Sequence, residues 1–290
     1  MVGAQFRTDL KVSGGKMSNP VIVDTHVIEN PVVAVLTGSD PVVQWLIPDF
    51  IAQGSLIVLA GEPGAGKSFV CYTLGLAGAT NTPILGFQPT HPLRILYFDQ
   101  ENSRPDRDQY LRWAWNGLNQ PSLPMIAANF WVRHFELGTA DWVTRAASAI
   151  TDIQPDIIFI DTATPCCAIL DENDNGIATQ VINRLRGLQA ISNPPAAMIV
   201  LKHSRIITEG MDGDNKPRRT IRGAKAWAGA ADAVWFHVRT AGHPRTDGLF
   251  NTYIEPAKTR AFGLRQTIRI NPVWIDNQKG LQLNRYHNGS

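Results

Sequence analysis

One eight-residue run constrains this chain more than any other feature. Gly61-Glu62-Pro63-Gly64-Ala65-Gly66-Lys67-Ser68 fits the pattern G-x-x-x-x-G-K-[ST]. An apolar run, Ser55-Leu-Ile-Val-Leu-Ala60, precedes it, and an apolar stretch of helical character follows as far as Ala79. A buried strand, a glycine turn and a helix start in that order form a nest of backbone N–H donors at a positive dipole end. Such a nest holds phosphate. Lys67 would reach the β- and γ-phosphates and the Ser68 hydroxyl would take Mg²⁺. The expected ligand is ATP or GTP, cradled by Gly61 through Ser68 and the next helical residue, Phe69.

The rest of the chain has to supply a fold around that turn. Further apolar runs at Arg94–Phe98, Asn129–Arg133, Asp156–Ile160 and Ala197–Leu201 alternate with helical patterns at Pro105–Asn119, Ala140–Ile153 and Asp174–Ala190. Continuous apolar strands alternating with helices predict a mostly parallel sheet covered on both faces. After residue 230 the helices give out, and short runs at 234–238, 250–254, 266–270, 273–275 and 281–283 predict an antiparallel extension. Residues 1–43 lack a sustained period and read as a flexible arm with one short strand at Val21–Val23, leaving 44–290 as the folded domain. Charged residues are only 18% of the chain, so disorder is excluded as the main architecture. No apolar run approaches the roughly 18 residues that cross a bilayer. The first 16 residues mix Arg7, Asp9, Lys11 and Lys16 and hold no signal-peptide core, so a cytoplasmic protein with no membrane partner is expected.

Hydrolysis needs more than a phosphate cradle. Asp161 ends the run Ile157–Ile160, where a carboxylate points to the sheet edge that carries the glycine turn, and it suits a metal-supporting acid. Glu101 stands three residues past Phe98. If its strand neighbours the strand of the glycine turn, Glu101 faces the γ-phosphate and can orient or deprotonate water. Asp99 competes for that role, but it lies nearer the buried strand and is less free to reach water. His203 follows Leu201 and Lys202, where it could bond the γ-phosphate, although a lone His is more often structural.

Positive charge gathers in the last third. Lys202 to Arg269 holds 13 Lys or Arg and six acids, a surplus of +7 against +2 for the whole chain. Ser204–Arg222 reads as a long polar loop carrying Arg205, Lys216, Arg218 and Arg219, a surface fit for nucleic-acid phosphates or simply a solvated loop. Lys258-Thr-Arg260, far along the chain from the glycine turn, could enter a neighbouring subunit's site as an arginine finger. Asp171-Glu-Asn-Asp-Asn-Gly176 begins like a calcium loop, but its twelfth position is Ile182, and a helix cap explains it better. Trp113 and Trp115 read as packing residues, and the adjacent Cys166 and Cys167 suggest no catalysis.

Together, the glycine turn, Tyr97-Phe-Asp-Gln-Glu101-Asn, Ile158-Phe-Ile-Asp161-Thr, Val200-Leu-Lys-His203-Ser, Ile221-Arg222-Gly223-Ala and Lys258-Thr-Arg260 resemble the RecA-like ATPases. Within them the resemblance is to hexameric replicative helicases of the plasmid RepA type, over about residues 42–290. It implies a RecA-like P-loop core assembled as a homohexameric ring with ATP and Mg²⁺ between subunits. It implies Glu101 as the catalytic carboxylate, Asp161 as the metal acid and His203 as the γ-phosphate sensor. Lys258 and Arg260 would act in trans, with Arg222 a second finger candidate. The loops after Asp161 and His203 would grip single-stranded DNA, with replication or loading proteins as further partners. This chain departs from the family in placing Lys202 where a first histidine often stands. The same core also serves recombination mediators and regulatory ATPases without unwinding activity.

Overall fold

The buried apolar runs become the parallel strands of one large sheet. The computed structural model describes residues 43–134, 141–211, 217–223, 225–240, 245–260, 263–275 and 277–286. The expected arm up to residue 42 and Lys216 lie outside them.

In chain order, β1 (Trp45–Ile47) and β2 (Ile51–Ala52) form a small antiparallel pair. β3 (Leu56–Gly61) leads through the glycine turn into α1 (Lys67–Ala79). β4 (Ile95–Asp99), α2 (Arg104–Gly117), α3 (Leu123–Asn129) and β5 (Phe130–Arg133) follow. Then come α4 (Trp142–Ile153), β6 (Ile157–Asp161), the short α5 (Ala163–Cys166), α6 (Asn175–Gln189) and β7 (Ala197–Met211). β8 (Pro217–Ile221), α7 (Ala226–Ala230), β9 (Ala233–Arg239), β10 (Thr252–Thr259), β11 (Ile268–Ile275) and β12 (Gly280–Tyr286) complete the described residues.

The sheet order is β5-β4-β6-β7-β3-β9-β10-β11-β12. Pairing is parallel from β5 through β9 and antiparallel from β9 to β12. The chain is therefore an α/β protein with a mostly parallel central sheet and an antiparallel C-terminal extension, the form of a P-loop NTPase core. Alternation along the strands divides the core. Ile57, Leu59, Tyr97 and Phe159 pack beneath α1 and α2, while Val58, Phe98, Ile158 and Val200 pack against α4 and α6. Each such side chain contributes about 1.5–3 kcal/mol on full burial. Among the described residues no helix is long and apolar enough to cross a membrane.

Three expectations change. β4 does not neighbour β3, because β6 and β7 lie between them. The polar stretch 204–222 is not a bare loop. Residues 204–211 continue β7 and pair with β8 as an antiparallel ribbon, since Ile206, Ile207, Thr208, Thr220 and Ile221 are β-branched residues suited to a ladder. The runs 266–270 and 273–275 merge into the single strand Ile268–Ile275, which passes through Pro272. That residue lies beyond the last β10 partner, Ile270 opposite Thr252, where a missing N–H costs no ladder bond.

Candidate functional site

Parallel strands aim their carboxyl ends at one edge, and the glycine turn opens there. Gly64 (φ 69°) and Gly66 (φ 91°) take the left-handed conformation that glycine adopts without strain. A side chain at Gly61 would meet the His237 carbonyl at 2.6 Å. Gly66 caps α1 with no side-chain bond, so the first N–H groups of the helix remain for a ligand.

Lys67 is buried and folds back on the turn, its Nζ donating to Gly61 O and Glu62 O, both at 3.1 Å. Burial lowers its pKa, and the charges of Glu101 and Asp161 pull it back up. Glu101 lines the same cleft as the lysine, and Asp161 lies buried close enough for its charge to act on it. Glu101 reaches that cleft although two strands, β6 and β7, stand between β4 and β3. Asp99 and Asp161 are register partners, and Gln100 N donates to Asp161 O at 2.7 Å, so the turn after β4 is fastened over the end of β6. Asp99 Oδ1 accepts from Glu101 N at 3.1 Å and Asn102 N at 3.0 Å, shaping that turn.

Asp161 is fully buried. Burial in the first place pushes its pKa up to about 7, with Asp99 and Glu101 adding to the rise and bonds from Tyr97 and Ser68 opposing it. Oδ2 accepts from Tyr97 at 2.7 Å, while Oδ1 has no hydrogen-bond partner. The unpartnered oxygen of Asp161 and the Ser68 hydroxyl, which interacts with that carboxylate, are oxygen donors of the kind a hard divalent cation takes, so the residues fit Mg²⁺. When bound, Mg²⁺ would offset negative charge on the nucleotide's phosphates.

The raised pKa has a stability consequence. An acid whose folded pKa lies above its unfolded value contributes stability below about pH 4, and this is lost as pH climbs toward 7. Nucleotide-free Asp161→Asn is therefore expected to gain about 2 kcal/mol relative to the parent between pH 5 and 7.5. Urea midpoints of both proteins at the two pH values check this, and a pH-independent difference would contradict it.

His203 lies opposite Gly61 on the neighbouring strand, with Nε2 3.8 Å from Glu101 Oε1 and Nδ1 unpartnered. Burial and Lys67 lower its pKa against the upward pull of Glu101 and Glu172, and the lowering favours the neutral imidazole. Lys202 points to the other side. It is 1% exposed, with Nζ 3.5 Å from Glu172 Oε1 and 5.2 Å from the centre of the Trp227 ring. Glu172 also holds Arg222, at 3.4 Å from Nε, so this finger candidate is engaged within its own chain.

Lys258 and Arg260 lie away from their own glycine turn. Lys258 pairs with Val234 and Thr259 with Ala233, beside Ile57 at the start of β3. That is four residues, about 13 Å, behind Gly61. Lys258 Nζ donates to the carbonyls of Ala228, Gly229 and Ala231 at 2.7–2.9 Å, and Arg260 donates to Gly229 O at 2.9 Å.

Of the candidate DNA contacts, Arg205 is exposed on β7 opposite Thr220, Arg218 pairs with Ile207, and Arg219 pairs with Ile206. The segment after Asp161 carries Asp171, Glu172 and Asp174 and no Lys or Arg before Arg184, so cationic charge sits on the ribbon instead.

Sequence reasoning missed several residues of this site. Arg239, at the end of β9, donates to Gly64 O and stacks 4.7 Å from the Phe250 ring centre, closing over the apex of the turn. Asn102 donates from Nδ2 to both Asp99 and Asp161. Tyr72 and Tyr97 donate to Asp99 and Asp161. Burial and the adjacent carboxylates push both phenols up, so each keeps its proton. Only Asn102 carried a local signal, an Asx-type spacing from Asp99. A cleft of about 380 Å³ runs from Gly64–Val70 past Glu101 and Arg239 to an apolar wall of Trp113, Leu249, Phe250 and Pro272. Two larger clefts lie around Gly86 and Arg285, and of their lining only Leu283 also borders this one.

Strand, glycine turn, buried lysine and paired carboxylates at one sheet edge define a P-loop ATPase. Residues 25–206, more than half of the chain, match the family described as AAA domain, and the chain belongs to that family. The match ends just past His203 and does not extend to β8–β12. No curated protein matches the chain.

Proposed function

We propose that the protein is an ATP-driven, ring-forming motor on single-stranded DNA, a RecA-like helicase of the replicative type. The observation that carries this reading is the placement of Lys258 and Arg260. They lie at the end of β10, level with the start of β3 and about 13 Å behind the turn that would hold their own nucleotide. Their side chains are bonded to the carbonyls of Ala228, Gly229 and Ala231. A finger so placed serves a neighbour's nucleotide, and a head-to-tail contact repeated between copies closes into a ring. Glu101 stands ready to orient water, Asp161 and Ser68 to seat Mg²⁺, and His203 to bond the γ-phosphate between Gly61 and Glu101. His203 opens the ribbon that carries Arg205, Arg218 and Arg219, so loss of phosphate and movement of a cationic arm share one strand.

The expected result is ATP turnover that rises at least several-fold on adding single-stranded DNA and falls back as salt screens the phosphates. A labelled fork should be separated only with ATP. Turnover indifferent to DNA would overturn the motor reading. DNA binding in ATP without strand separation would mark an assembly switch or recombination mediator instead.

A further inference from the structure

The carboxylates of the site rest on two tyrosines whose rings belong to the core. Tyr72 lies one helical turn past Ser68 on α1, and Tyr97 lies two residues before Asp99 on β4. Both are fully buried. Their rings stack with centroids 4.2 Å apart and planes 4° from parallel, and Phe159 continues the stack at 5.2 Å from Tyr97. Phenylalanine would fill this space equally well. A buried phenol is retained where its hydroxyl has a partner, and here each hydroxyl takes a different carboxylate. Tyr72 donates to Asp99 Oδ2 at 2.5 Å, and Tyr97 donates to Asp161 Oδ2 at 2.7 Å.

The two acids are register partners on adjacent parallel strands. Neighbouring strands stand about 4.8 Å apart, so like charges meet there in a dry environment. Asn102 Nδ2 donates to both, at 3.1 and 3.2 Å to Asp99 and 3.3 Å to Asp161. The acids do different things. Asp161 keeps its Oδ1 without a hydrogen-bond partner, whereas Asp99 spends its Oδ1 on the N–H groups of Glu101 and Asn102.

We propose that Tyr72 and Tyr97 are positioning residues with separate tasks in the ATPase reaction. Tyr97 fixes the orientation of Asp161 and so governs metal affinity. Tyr72 fixes Asp99, which sets the turn that presents Glu101, and so governs turnover. The proposal rests on Asp161 as the metal-side acid and Glu101 as the water-side acid.

Tyr97→Phe and Tyr72→Phe each remove one hydroxyl and keep the ring stack. In the full-length protein, binding of a fluorescent ATP analogue is measured across a Mg²⁺ titration and in chelator, alongside kcat and thermal melting. Tyr97→Phe is expected to raise the Mg²⁺ concentration for half-maximal binding about tenfold, with binding in chelator unchanged and kcat recovered at high Mg²⁺. Tyr72→Phe is expected to leave the Mg²⁺ requirement and nucleotide affinity unchanged and to lower kcat about tenfold or more. The proposal is overturned if both variants move the same parameter, or if both keep parental values and differ only in melting temperature. Asp161→Asn and Glu101→Gln separate this from failure of the underlying reading. If Asp161→Asn leaves the Mg²⁺ requirement unmoved, or Glu101→Gln leaves kcat unmoved, the assignment of the acids fails whatever the tyrosines do.

Discussion

Replacing Glu101 by Gln is expected to leave ATP binding within a few-fold of the parent and to lower turnover at least about 100-fold. The amide keeps the size of the side chain, and its backbone N–H keeps the bond to Asp99 Oδ1 that shapes the turn. What disappears is the carboxylate that accepts a proton from water. Single-turnover hydrolysis with prebound ATP measures that loss apart from binding. Retained turnover would move the role to another carboxylate. Asp99 is poorly placed to take it, being fully buried with both oxygens bonded to Tyr72, Glu101 N and Asn102.

Lys67→Ala should remove nucleotide binding itself. The ammonium lies among the turn carbonyls with Glu101 and Asp161 as its nearest stabilising charges, so truncation takes away the one cation facing them within the P-loop. A β,γ-phosphate brought to the truncated site would meet two carboxylates without that compensation. Losing a charge-assisted contact of this kind costs about 3 kcal/mol, roughly 100-fold in affinity. Equilibrium binding of a fluorescent ATP analogue checks it. Parental affinity in Lys67→Ala would mean that the glycine turn holds phosphate through its N–H groups and helix end alone.

Much of this site was legible in the residues because its chemistry is local. Gly61–Ser68 reads as a phosphate loop since the required φ values, helix start and lysine fall within eight positions. Asp161 and His203 are legible as candidates because strand ends in a parallel sheet share an edge, and periodicity locates strand ends. Strand order is not local, and the route by which Glu101 arrives is not legible for that reason: two strands intervene, and the turn fastened to Asp161 makes up the distance. Residues whose function depends on what lies across the fold left no trace in the pattern. Tyr72 and Tyr97 look like ordinary core aromatics until their hydroxyls are seen on two acids. Arg239 reads as a strand-end arginine until it closes on Gly64. The ribbon after His203 reads as a loop because its Gly, Asp and Arg content outweighs a few β-branched residues that suffice for a two-stranded ladder.

Shared ownership of each nucleotide, P-loop from one copy and finger from the next, is the claim on which the motor depends. Arg260→Ala and Lys67→Ala proteins, each inactive alone, test it when mixed. Every seam that joins an intact P-loop to an intact neighbouring finger should hydrolyse ATP, so an equal mixture should recover about a quarter of parental activity under random head-to-tail assembly. Absence of recovery at any ratio, with the two variants shown to co-assemble, would contradict it and return the finger to its own chain.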